Sequence, residues 1–180
     1  LSLVGFKGSS VALLLSWEDT ARIGTKRVFL ARLSSAANFE GKPAGFLARG
    51  KGVPEIALAN ESVAVLAPMS TCENGTTECE GAKELPTYLR YDASLRLLQR
   101  EPIAIGGEPA ALGWGLSCRT DSTCVALFAA NGSPASVHTA TLLARSNVTA
   151  PKDAPPPPTD APRLGKPQSW VSGTNNWNQV

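Results

Sequence analysis

Four short apolar runs recur in a fixed order along this chain, and few folds accommodate such an order. "LSLVGF" (Leu1–Phe6), "SSVALLLSW" (Ser9–Trp17), "VFLARLSS" (Val28–Ser35) and "GKPAGFLA" (Gly41–Ala48) form a first set. "PEIALA" (Pro54–Ala59), "ESVAVLAPM" (Glu61–Met69), "TYLRYDAS" (Thr87–Ser94) and "REPIAIGG" (Arg100–Gly107) repeat it. "PAALGW" (Pro109–Trp114), "TCVALFAAN" (Thr123–Asn131), "ATLLARSN" (Ala140–Asn147) and "GKPQSWVSG" (Gly165–Gly173) repeat it again, the third run more faintly.

Each run has strand length, and clusters of Gly, Pro, Asn, Asp or Ser separate the runs. That punctuation predicts an all-β chain built of short antiparallel strands. The recurrence divides it into units 1–52, 53–107 and 108–173, with 174–180 a tail or the start of a further unit. Four strands joined by tight turns is the make-up of a propeller blade, and a single blade has two apolar faces that only stacking can dry. The expected fold is therefore about three four-stranded, propeller-like blades, a partial propeller, since complete rings have about four to eight. A β-sandwich or barrel is the alternative. The remaining blades of a ring would come from a longer chain or from other subunits.

"VALLLSW" and "VAVLAPM" are almost continuously apolar, as inner strands covered on both faces should be. "YLRYDASLRLL" mixes polar with apolar residues, as expected nearer a sheet edge. Residues 146–167 carry four consecutive prolines and read as an extended, exposed insertion in the third unit.

The recurrence resembles that of secreted bacterial β-propeller repeat proteins, broadly defined. No WD40 strand ending, sialidase Asp-box or Kelch double glycine accompanies it. The resemblance implies a binding or scaffold module that meets a protein or glycan through its loops.

Cysteine usage bears on the compartment. Cys72 and Cys79 flank "ENGTTE", and Cys118 and Cys124 flank "RTDST". Residues opposed on paired antiparallel strands lie within disulfide range. Both spacings exceed the zinc-knuckle pattern and neither pair has a neighbouring His. Two local disulfides, a metal clip and free thiols are the readings, and the disulfides place the chain outside the cytoplasm: secreted, periplasmic or at the cell surface. Asn60, Asn74, Asn131 and Asn147 head N-x-S/T sequons, which are glycan acceptors in a eukaryotic secreted protein and chance matches otherwise.

The formal charge of +2, with scattered Lys and Arg, does not suggest nucleic acid. The longest apolar run is too short for a membrane span. No P-loop, dinucleotide fingerprint or calcium loop occurs, so no cofactor or metal is implied. The single histidine, His138, shares a strand face with Ala140 and Leu142 and lacks a nucleophile elbow. Glu18 and Asp19 are adjacent and so point to opposite faces, which fits a polar hairpin end better than a glycosidase pair. No catalytic residue is assigned. Trp17, Trp114, Trp170 and Trp177 are either partner-binding aromatics on loops or core residues between blades. Arg32, Arg90 and Arg145 recur at nearly the same place in the matched runs, which suggests a repeated role such as an inter-strand salt bridge.

The expected function is thus an extracytoplasmic, non-enzymatic binding or scaffold module. A propeller-type hydrolase or lyase acting on polysaccharide or peptide, and a structural subunit of a surface assembly, are the alternatives.

Overall fold

The computed structural model describes residues 2–5, 11–19, 24–50, 52–71, 83–103, 108–109, 114–131 and 136–145. Among them there are twelve strands and no helix, and hence no helix long and apolar enough to cross a membrane.

The strands form three antiparallel sheets of four strands each. The first is a meander of β1 (Ser2–Gly5), β2 (Val11–Glu18), β3 (Thr25–Leu33) and β4 (Ala44–Arg49). The second repeats it with β5 (Glu55–Ala59), β6 (Ser62–Thr71), β7 (Lys83–Tyr91) and β8 (Leu97–Pro102). In the third, β9 (Glu108–Pro109) and β10 (Gly115–Cys118) both pair with β11 (Cys124–Asn131), and β12 (Ser136–Leu142) flanks β11 on its other edge. β9 and β10 thus lie along the same edge of β11. The insertion 146–167 and the run Gly165–Gly173 lie outside the described residues.

Side-chain alternation shows how the sheets stack. On β6, Val63, Val65, Ala67 and Met69 point one way and join a cluster with Ala12, Leu14, Val28, Leu30 and Phe46 of the first sheet. The intervening Ala64 and Leu66 point the other way and join Tyr88, Cys124, Ala126 and Leu142, the last three residues belonging to the third sheet. The middle sheet is thus buried on both faces, and every side chain from Ser62 to Ser70 is buried. Roughly 1.5–3 kcal/mol of transfer free energy accompanies each large aliphatic side chain buried this way. β5 lies against β1 on one side and β10 on the other, and β4 packs on β6 of the second sheet.

The mixed run 88–98 leads from the end of β7 into β8, an edge strand of the second sheet, as its composition predicts, although Tyr88, Leu89 and Tyr91 are buried. Arg90 reaches the chain after β12. Matching Val63 to Val125 does not preserve the face. Val63 is fully buried against the first sheet, while Val125 is 40% exposed and points away from the second. A one-residue slip in the third unit inverts its pleat.

Candidate functional site

A meander places alternate connections at opposite ends of its sheet. Here the β3–β4, β7–β8 and β10–β11 connections share one end of the stack. Arg32 and Arg90, near that end of β3 and β7, bind the neighbouring sheet there: Arg32 NH1 donates to the Ala93 carbonyl at 3.1 Å, and Arg90 NH2 to the Arg145 carbonyl at 3.4 Å. Ser122 donates from the β10–β11 turn to the Ala59 carbonyl at 3.3 Å, while Ser62 binds the same carbonyl at 2.7 Å.

The three connections have one geometry. Ser34 N donates to the Asn38 carbonyl at 2.9 Å, Asp92 N to that of Arg96 at 3.0 Å, and Arg119 N to that of Thr123 at 2.8 Å. In each, the fourth residue also donates back to the first: Ala37 to Ser34, Leu95 to Asp92 and Ser122 to Arg119. That fourth residue is left-handed, with φ of 58°, 60° and 66° respectively. The pattern is a type I turn followed by a left-handed residue, a standard three-residue hairpin connection. Glycine is the usual occupant of the last position, and all three are non-glycine.

Side chains fix each turn further. Asn38 N donates to Ser34 Oγ at 3.3 Å. Asp92 Oδ1 accepts from the backbone of Ser94 and Arg96, both at 2.9 Å, and its Oδ2 pairs with Arg96 Nε at 3.1 Å. Asp121 Oδ1 accepts from Thr123 N at 2.9 Å, and its Oδ2 lies 3.7 Å from Arg119 Nε. The Thr123 N–H bond, helped by the Thr123 hydroxyl and the Arg119 charge, holds the exposed Asp121 carboxyl below the usual carboxylate range. Arg96 and Arg119 present largely exposed guanidinium side chains beside these acids. No cysteine or aromatic residue signals this turn class. Its sequence trace is only a small polar side chain, Ser34, Asp92 or Asp121, opening or punctuating the turn.

The third turn is also closed covalently. Cys118 and Cys124 are directly opposed and disulfide-bonded, with Cα atoms 4.0 Å apart. Cys124 is buried between the second and third sheets, its Sγ 3.5 Å from the Tyr88 hydroxyl. Cys72 and Cys79 lie outside the described residues, within the connection between Thr71 and Lys83, which are paired at the opposite end of the stack.

A polar seam joins the outer edge of the second sheet to the chain after β12. The buried Gln99 amide donates to the Leu143 carbonyl at 3.4 Å and to Glu101 at 2.9 Å, and accepts from Arg145 N at 3.5 Å. Arg145 NH2 lies 3.5 Å from Glu101 Oε1. So Arg32 and Arg90 do repeat a role, though between sheets rather than strands; Arg32 also pairs with Glu40 at 3.1 Å. Arg145 instead reaches back to the second sheet.

The remaining candidates disperse. Trp114 packs against the cluster between the second and third sheets, its indole directly over Gly52. Trp17 is half-buried on the side of the first sheet away from the second, opposite Arg27. Trp170 and Trp177, like Asn74 and Asn147, lie outside the described residues. Asn60 sits exposed in the β5–β6 turn at φ 55°, and Asn131 is the last residue of β11. His138 is half-buried opposite Phe128. Glu18 and Asp19 diverge as expected: Glu18 is exposed 4.0 Å from Lys26, while the buried Asp19 pairs with Arg27 at 3.2 Å. Among the described residues no group of three or more His, Cys, Asp or Glu is placed to hold a metal.

No protein-family model, no curated protein and no solved structure matches the chain.

Proposed function

We propose that the protein is a non-enzymatic, extracytoplasmic binding or scaffold module of β-propeller type, meeting a protein or glycan partner through its connections. The observation that carries this is the row of three like turns at one end of the stack, each held by backbone, side-chain or disulfide bonds. Loops fixed before binding lose little entropy on binding, which is what recognition surfaces need. Arg96 and Arg119, exposed on adjacent sheets, offer donors to carboxylate, sulfate or hydroxyl groups of such a partner. The face-to-face stacking of four-stranded antiparallel sheets supports the propeller assignment, and the Cys118–Cys124 bridge supports an oxidising compartment. A screen of acidic and neutral glycans and of envelope proteins tests the function. Binding that falls at least about tenfold in the Arg96→Ala, Arg119→Ala double variant is expected, and absence of any ligand in both classes counts against it.

A further inference from the structure

We infer that Cys118–Cys124 is a reversible redox bridge, which a dithiol reductant opens by attacking Cys118, with Cys124 as the leaving sulfur. The three like turns supply an internal control. The residues flanking them are paired in the same way: Leu33 with Phe39, Tyr91 with Leu97, and Cys118 with Cys124. The first two turns reach their geometry with no covalent link. The third has the same backbone bonds, an Asp121 bond to Thr123 N, and the Ser122 tie to Ala59 besides. Its shape therefore does not depend on the bridge.

The surroundings of the two cysteines differ. Cys118 is half-buried, whereas Cys124 is fully buried between the second and third sheets. A thiolate arriving from solvent therefore meets Cys118 first. A bridged sulfur carries no hydrogen, so the Tyr88 hydroxyl, 3.5 Å from Cys124 Sγ, is the donor in that contact. It is aimed at the atom on which negative charge develops as the S–S bond breaks, and a better-stabilised thiolate leaves faster. The Ser122 carbonyl lies 3.9 Å from the same sulfur. It serves only the reduced form, as acceptor for the Cys124 S–H. Both oxidation states of Cys124 thus find partners in the fold.

The exchange balances in two displacements. One thiolate of the reductant attacks Cys118 Sγ, forming a mixed disulfide and releasing Cys124, which takes up a proton. The second thiol of the reductant then displaces Cys118, which is protonated in turn, and the reductant closes its own disulfide. The bridge gains two electrons and two protons, and the dithiol loses them. The inference goes beyond the proposed function and does not rest on it, because thiol exchange is read without any binding partner.

Treating the native full chain with dithiothreitol tests it. Alkylation and mass spectrometry of the peptides holding Cys118 and Cys124 read this bridge apart from Cys72 and Cys79. The expected result is reduction with the circular dichroism spectrum unchanged, and re-formation of the bridge once the dithiol is exchanged for glutathione disulfide. With glutathione disulfide, Cys124→Ser should form a mixed disulfide through Cys118 at least about tenfold faster than Cys118→Ser does through Cys124. Tyr88→Phe, which keeps the buried ring, should slow reduction about fivefold, the rate equivalent of one hydrogen bond. Reduction only under conditions that unfold the chain, equal reactivity of the two single-cysteine variants, or an unchanged rate in Tyr88→Phe would overturn the inference.

Discussion

The Arg32 guanidinium leaves its own sheet and donates to the carbonyl of Ala93 in the next, while its Nε pairs with Glu40. One side chain thereby ties β3, the β3–β4 connection and the β7–β8 turn together. Arg90 occupies the matching place on β7 and binds the carbonyl of Arg145. Arg32→Ala should cost about 1–3 kcal/mol, and Arg32→Lys most of that, because an ammonium lacks the planar fork that serves two partners at once. Urea denaturation with an unchanged slope checks both values.

Asp19 and Glu18 should respond very differently to neutralisation. Asp19 is buried against Arg27, so Asp19→Ala leaves a shielded guanidinium without this partner and should cost about 3 kcal/mol. Glu18 is two-thirds exposed and only loosely paired with Lys26, so Glu18→Gln should change stability by less than about 0.5 kcal/mol. Comparing the two denaturation midpoints separates a buried pair from a surface one.

Ala37→Gly should stabilise the protein. Ala37 is exposed and held at φ 58°, where a Cβ is unfavourable by roughly 1–2 kcal/mol and glycine is at ease. Glycine's greater freedom in the unfolded chain offsets part of this, leaving a gain of about 0.5–1 kcal/mol. Leu95 has nearly the same φ but is buried, so Leu95→Gly should destabilise instead, by lost packing. Opposite signs at two like turns are the diagnostic result.

Both tyrosines of the chain are shielded from water. Burial pushes the Tyr91 hydroxyl far above its ordinary value of 10.0, with Arg100 opposing. Burial also raises Tyr88, with Arg90 opposing and Glu101 adding. A raised value in the folded state favours the protonated form. This contribution is fully present below the unfolded value near 10 and is lost as pH rises beyond it, when only the unfolded chain ionises. The tyrosinate absorbance should therefore appear together with loss of the circular dichroism signal, rather than before it.

Reduction of Cys118–Cys124 should cost roughly 2 kcal/mol by the chain-entropy model, because the loop is short. Alkylation under denaturing, non-reducing conditions should label neither cysteine, and mass spectrometry of the peptide spanning them reads this directly.

Most of the strand framework was legible in the sequence because it rests on one physical requirement. "SVAVLAPM" is continuously apolar since β6 meets a sheet on each side, and that is how it folds. The pleat of the third unit was not legible: Val63 and Val125 look equivalent in a string of letters, but the turn before β11 is longer than the one before β6 and shifts the phase by one residue. The row of like turns was hidden for a different reason. Ala37, Leu95 and Ser122 hold a conformation that glycine normally signals, and hydrogen bonds rather than residue type impose it. Gln99, whose amide stands in for a backbone pair at Leu143 and Arg145, left no trace at all, since its partners are main-chain atoms far along the chain.

Because the middle sheet has no face of its own turned to water, it cannot persist once either flank departs. Loss of order must start from the outside, and the amide protons of β6 and β7 should be the last to exchange with solvent. A cut in the linker at Gly52 would then release two insoluble halves instead of two working pieces, making the central hairpin a hostage to both of its neighbours.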